Sequence, residues 1–111
     1  MNVKQGEIFL VPFPFSDLSG SKVRPVVIIS NDGFNFSSED VLVSGITSNT
    51  SKDNYAVQIT NKDMGEGHLI VNSSVKVENI LRIEKKLLMK KIGSLKKETF
   101  LEIIKKLKAI F

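Results

Sequence analysis

Cysteine is absent from the 111 residues, which excludes a disulfide framework and any thiolate metal site and suits a reducing compartment. Histidine occurs once, at position 68, so no chemistry that needs two histidines in one chain is open to it. Arginine occurs twice, at 24 and 82, in a chain that otherwise takes its positive charge from lysine. Long apolar runs are missing as well. The longest, Ile8 to Phe15, is interrupted by Pro12 and Pro14 and falls far short of the about 20 residues a membrane span requires. With a polar start from Met1 to Gly6, the expectation is a cytoplasmic protein with no targeting or membrane-spanning segment. No internal repeat, low-complexity tract or linker is found.

What is present fits one domain over residues 1–111. The chain is 41% hydrophobic and 25% charged, enough for a modest core that association with a second copy would reinforce. The net charge of +4 is unevenly spread. Met1 to Val75 carries 5 basic and 8 acidic residues, whereas Lys76 to Phe111 carries 11 basic and 4 acidic. Such a local positive surface either attracts a phosphate backbone or an acidic partner, or is simply a solvated lysine-rich face.

Ile8-Phe9-Leu10-Val11 are consecutive apolar residues, which predicts a strand over Glu7 to Val11 buried on both faces and ended by Pro12 and Pro14. Ser16 to Ser21 reads as a polar loop. Val23 to Ser30 predicts a second strand with Pro25 near its start, broken by Asn31-Asp32-Gly33. Val41 to Ser48, Tyr55 to Thr60 and His68 to Val71 predict further strands, with polar turns at Asn49 to Asn54 and Asn61 to Gly67. Val75 and Val77 alternate with Lys76 and Glu78, and Ile80 to Lys91 fits strand and helical turn equally. Phe100, Ile103, Ile104, Leu107 and Ile110 follow helical spacing, so the tail is an amphipathic helix approached through Gly93 and Ser94. Several short strands followed by one helix predict a mainly β fold, a small curled sheet or barrel with a C-terminal helix packed on it.

Gly6-Glu7-Ile8, Pro12-Phe13-Pro14-Phe15-Ser16-Asp17, and above all Lys22-Val23-Arg24-Pro25 running into Val26-Val27-Ile28-Ile29-Ser30 give the chain its most distinctive pattern. Together with Ile46-Thr47-Ser48, Ser74-Val75-Lys76-Val77-Glu78, Arg82-Ile83-Glu84-Lys85 and Lys90-Lys91-Ile92-Gly93, it resembles the MazF/PemK family of toxin ribonucleases over nearly the whole chain. The resemblance implies an SH3-like barrel with added helices. It also implies a two-fold dimer that cuts single-stranded RNA at short sequences without metal or cofactor and is neutralised by an antitoxin.

Cutting RNA without a metal means letting the ribose 2′-OH attack its own phosphodiester. That calls for a proton acceptor, a proton donor and positive charge on the phosphoryl oxygens. A planar five-donor guanidinium at Arg24 suits phosphate recognition, and an ion pair with Asp17 is the competing structural role. Thr47 and Ser48 offer hydroxyls where a strand ends, which either hold phosphate oxygens or stabilise a turn. Lys76 and Glu78, two apart on a strand, share a face as a cation and a carboxylate, either an acid and base pair or a surface ion pair. In the resemblance Arg24 and Thr47 look catalytic, and the positions of Lys76 and Glu78 look like an arginine and an aspartate with proton-handling roles. This chain departs at both, and an Arg-to-Lys change at a bidentate site is not conservative.

The RNA-contacting candidates are Ser19, Ser21, Lys22, Ser48, Tyr55, Asn72 and Ser74, with Tyr55 a ring on which a base could stack. His68, beside Gly67, is read as holding a turn, and Phe13, Phe15, Phe34 and Phe36 as core or dimer contacts. The loop before Arg24 and the loop from Asn49 to Asn54 would set base choice. Two other readings compete: a non-catalytic nucleic-acid or protein-binding barrel, and a CcdB-like gyrase inhibitor, against which Lys22-Val23-Arg24-Pro25 argues.

Overall fold

The computed structural model describes residues 2–13, 22–50 and 53–111, so the expected loop from Ser16 to Ser21, with its candidates Asp17, Ser19 and Ser21, lies outside the described residues. Among the described residues, seven strands form one antiparallel sheet in the order β4-β6-β3-β2-β1-β7-β5. They are β1 (Glu7–Phe13), β2 (Lys22–Ile28), β3 (Asp40–Thr47), β4 (Ala56–Ile59), β5 (Met64–Gly67), β6 (Ser73–Glu84) and β7 (Lys90–Leu95). Helix α1 (Asp32–Ser37) lies between β2 and β3, and α2 (Lys97–Ile110) closes the chain.

Because side chains alternate across a strand, the sheet buries both faces. Ile8, Val27, Ile46, Val57, Val75 and Val77 pack on one side with Phe100 and Ile103 of α2. Phe9, Val11, Val26, Ile28, Val41, Val43 and Ile83 pack on the other. The unbroken apolar run of β1 is thus explained, since Ile8 serves one core and Phe9 and Val11 serve the other. The helix stripe behaves as its spacing predicts: Phe100 and Ile103 are buried, Ile104 and Leu107 are partly buried, and the periphery begins at Ile110.

Four expectations need correction. Strand β1 does not end at Val11 but runs through Pro12, paired with Val23, to Phe13. The carbonyl of Leu10 accepts from Met89 N–H on the β7 side. Two residues on, the proline nitrogen points the same way, past the last β1–β7 pair at Leu10, where no donor is required. The strand expected at His68 to Val71 lies earlier, at Met64–Gly67, inside what reads as a polar turn; residues 61–63 form a 3₁₀ turn before it. Asn31-Asp32-Gly33 opens α1 rather than merely breaking β2, with the Asn31 side chain accepting from Phe34 N–H at 2.8 Å as an N-cap does. Finally, of the phenylalanines expected in the core or in dimer contacts, Phe36 is 86% and Phe13 44% exposed, which takes both out of the core of the subunit; Phe15 lies outside the described residues, and the aromatic core among the described residues is Phe9 and Phe100. The ambiguous stretch after Ile80 divides into the end of β6, a 3₁₀ turn at residues 85–87 and the start of β7.

Edge strand β5 is tied inward by charge. Lys91 Nζ lies 2.7 Å from Glu7 Oε2 and 2.7 Å from Glu66 Oε1, and Lys4 N–H donates to the other Glu7 oxygen. The Glu7 side chain is 10% exposed, so removing its cation strands a nearly buried carboxylate. Lys91→Met is expected to lower stability by about 1–3 kcal/mol, read from urea melts. Glu66 and then Glu7 push the Lys91 ammonium above the ordinary lysine value. Its contribution is therefore complete below that value and fades only as pH rises through the elevated one, so the deficit should be constant from about pH 6 to 9.

Candidate active site

The second face of the sheet is not covered along its whole length. Towards the start of β2, the end of β3 and the start of β6, side chains give way to a cleft of about 240 Å³ lined by Val11, Phe13, Arg24, Pro25, Thr47, Lys76 and Asn79, among others. Strand order builds this cleft. β3 lies between β2 and β6, so Arg24, Thr47 and Lys76, far apart in sequence, come from three adjacent strands. Gly45 is opposite Lys76, which has Ala56 on its other side, and Thr47 is opposite Ser74, which has Gln58 on its other side. Arg24 sits two residues beyond the pair Val26–Gly45, level with Thr47.

Strand β6 enters this region through a bulge. Ser44 pairs with Ile80, yet Gly45 pairs with Lys76, so Val77, Glu78 and Asn79 are extra residues on β6. The buried Ser44 hydroxyl donates to the Val77 carbonyl at 3.2 Å and anchors the bulge. The Asn79 amide then folds over Gly45, with Nδ2 2.7 Å from where a Cβ would stand.

Arg24 is exposed, its guanidinium 6.0 Å above the Phe13 ring centroid. It makes no ion pair with any described carboxylate; Asp17, its candidate partner, lies outside the described residues. Thr47 Oγ1 accepts from Asn49 N–H at 3.1 Å, which fixes the hydroxyl at the cleft edge through a turn.

Lys76 Nζ lies 3.7 Å from Glu78 Oε1, so the two share a side of β6, but its nearer partner is Asp53 Oδ2 at 3.1 Å. Asp53 Oδ1 accepts from Tyr55 N–H at 2.9 Å. That backbone donor first, and the ammonium next, hold the Asp53 carboxyl below the usual aspartate range. The Asp53 hydrogen bond in turn raises Lys76 above the usual lysine range, with Glu78 adding less. The signs place the pair's contribution above pH 3.8, lost as acid reaches the lowered carboxyl, and below pH 10.5, lost as base reaches the raised ammonium. At neutral pH Lys76 is a cation and a donor, not a base.

The other candidates spread around this centre. Lys22, Ser48 and Asn72 are exposed, and Tyr55 is 43% exposed. Ser74 is 1% exposed, and its hydroxyl has no hydrogen-bond partner among the described residues. His68 is exposed beside Gly67, whose φ is +78°, and lines a different groove with Ile70 and Val71. Asp53 and Asn79 escaped the sequence reading. The Asp-x-Tyr turn was a signal for the first, whereas the bulge that presents Asn79 has no local signature.

The family model for PemK-like, MazF-like toxins of type II toxin-antitoxin systems matches residues 4–111. No curated protein matches the sequence. Among solved structures, the fold is similar to a MazE-MazF structure from Deinococcus radiodurans, with TM-score 0.81, 14% identity, and 99% of this chain and 96% of that chain covered. It is also similar to an endoribonuclease in complex with its cognate antitoxin from a mycobacterial species, at TM-score 0.78 and 20% identity, covering 96% and 92%. Mycobacterium tuberculosis toxin MazF-mt6 gives TM-score 0.76 and 19% identity, covering 93% of each. A half-closed antiparallel sheet with a terminal helix is therefore shared with these proteins, and the chain belongs to the family of PemK-like, MazF-like toxins of type II toxin-antitoxin systems.

Proposed function

We propose that this chain is a sequence-specific endoribonuclease toxin that cleaves single-stranded RNA in the cytoplasm, works as a homodimer of one-domain subunits without metal or cofactor, and is neutralised by a cognate antitoxin. The observation that carries this reading is the convergence of Arg24, Thr47 and Lys76 on one cleft, with Glu78 beside Lys76.

In the reaction the ribose 2′-oxygen bonds to phosphorus and the bond from phosphorus to the 5′-oxygen breaks. Arg24 meets the phosphoryl oxygens, where a guanidinium without a described carboxylate partner is ready to donate. Thr47 positions the phosphate. Glu78 takes the 2′-OH proton, and Lys76, held protonated, donates to the departing 5′-oxygen. Lys22, Ser48, Tyr55 and Asn72 contact flanking nucleotides, as do Ser19 and Ser21, and Ser74 supports Thr47 from the neighbouring strand.

The purified protein incubated with a long single-stranded RNA in chelator is expected to give discrete cuts bearing cyclic phosphate and 5′-hydroxyl ends. RNA that is bound in a salt-sensitive manner yet stays intact would defeat the proposal and favour a non-catalytic barrel.

A further inference from the structure

Lysine is a poor replacement for a side chain that must point one way. Its ammonium is a point charge on a flexible four-carbon stem, without the fork that orients a guanidinium. Lys76 stands on β6 at the cleft, and two carboxylates compete for it. Left alone with Glu78, its neighbour on the same strand, the ammonium would close onto that carboxylate and occupy the lone pairs a proton acceptor needs.

The loop before β4 offers the ammonium a nearer partner. Asp53 holds one oxygen on Tyr55 N–H and offers the other to Lys76 at 3.1 Å, while Glu78 remains at 3.7 Å. The small Ala56 faces Lys76 across the strands and leaves room for its stem to lean towards Asp53. The loop is itself braced: the Asp53 carbonyl accepts from Ala56 N–H at 3.1 Å, and Lys106 of α2 donates to the Asn54 carbonyl at 2.5 Å. An ion pair this exposed, with about a third of each side chain accessible, contributes little to stability; its consequence is orientation.

From this geometry we infer that Asp53 is a positioning residue for the cleavage reaction, drawing Lys76 off Glu78 so that the carboxylate stays open to the 2′-OH. The inference rests on the proposed RNA cleavage. Asp53 touches neither the phosphate nor the reacting atoms, and acts through Lys76 alone.

The test is steady-state cleavage of one RNA by wild type, Asp53→Ala, Asp53→Asn, Asp53→Glu, Lys76→Ala and the Asp53→Ala/Lys76→Ala double variant, each checked for folding by circular dichroism. Asp53→Ala and Asp53→Asn should lower kcat on the order of tenfold with KM within about twofold, and Asp53→Glu should recover part of the loss. In the Lys76→Ala background, removal of Asp53 should have no further effect, because its target is gone. An unchanged kcat, a change confined to KM, or an equal loss with and without Lys76 would overturn the inference while the cleavage reading stood. A wild-type protein that cuts no RNA would overturn both.

Discussion

Arg24→Ala is expected to slow RNA cleavage by about two to three orders of magnitude while the fold stays intact. The two halves of that expectation come from the same facts. Arg24 is exposed at the cleft, stands over the Phe13 ring at 6.0 Å and pairs with no described carboxylate, so the folded state loses almost nothing with it, within about 0.5 kcal/mol. The transition state, in contrast, gathers negative charge on the phosphoryl oxygens, and among the cleft's described cations only Arg24 is not already held by carboxylates. Arg24→Lys keeps the charge and loses the fork, so it should fall between the two, about tenfold below wild type. Single-turnover cleavage and a urea melt on the same preparation separate the effects. An Arg24→Ala protein that keeps more than half of the wild-type rate would remove Arg24 from the mechanism.

Gly93→Ala is expected to destabilise the protein by about 3 kcal/mol, at the upper end for inserting one carbon into a packed interior. A Cβ at Gly93 would stand 2.1 Å from the Glu66 carbonyl oxygen and 2.8 Å from Met64 Cε. The approach is mutual, since a Cβ at Gly67, the paired residue on β5, would stand 2.1 Å from the Ile92 carbonyl oxygen. Backbone atoms cannot swing aside as a side chain can, and β7 is held on its other edge by β1, so the strain falls on β5. Gly33→Ala should move stability the other way, by about 0.5–1 kcal/mol, because Gly33 lies in α1 with only Asn31 Oδ1 near, at 3.5 Å. Paired urea melts decide the matter: a Gly93→Ala midpoint equal to wild type would show that the sheet edge is far softer than its geometry implies.

Strand β5 also shows where reading the sequence stops. Met64-Gly65-Glu66-Gly67 has neither the alternation nor the branched residues that announce a strand; it pairs because two glycines let two backbones meet, a fact about β7 that no window around β5 contains. The six-residue α1 was hidden differently, by an Asn-Asp-Gly stretch that serves a turn or an N-cap equally well. Where apolar periodicity set the outcome, as in β1, β2, β3 and α2, the reading agreed with the structure except at the ends. Arg24, Thr47, Lys76 and Glu78 could be named from the motifs they occupy. Their gathering depends on β3 lying between β2 and β6, and Asp53 entered only because the turn before β4 carries its carboxylate to Lys76.

The carboxylates around Lys76 bear on how a polyanion finds this protein. Lys76 is balanced by Asp53 and Glu78, so of the described cations that line the cleft only Arg24 is uncompensated, and the place where a phosphodiester would be cut is not where most of the chain's positive charge lies. Most of that charge is carried by the lysines of the second half of the chain, such as Lys85, Lys86, Lys90 and those of α2, and would act through solvent over distances that dissolved ions screen. Under the proposed mechanism, capture and turnover would depend on different charges: ionic strength would govern how often an RNA arrives, and the short contacts at Arg24 and Lys76 what happens to one already seated.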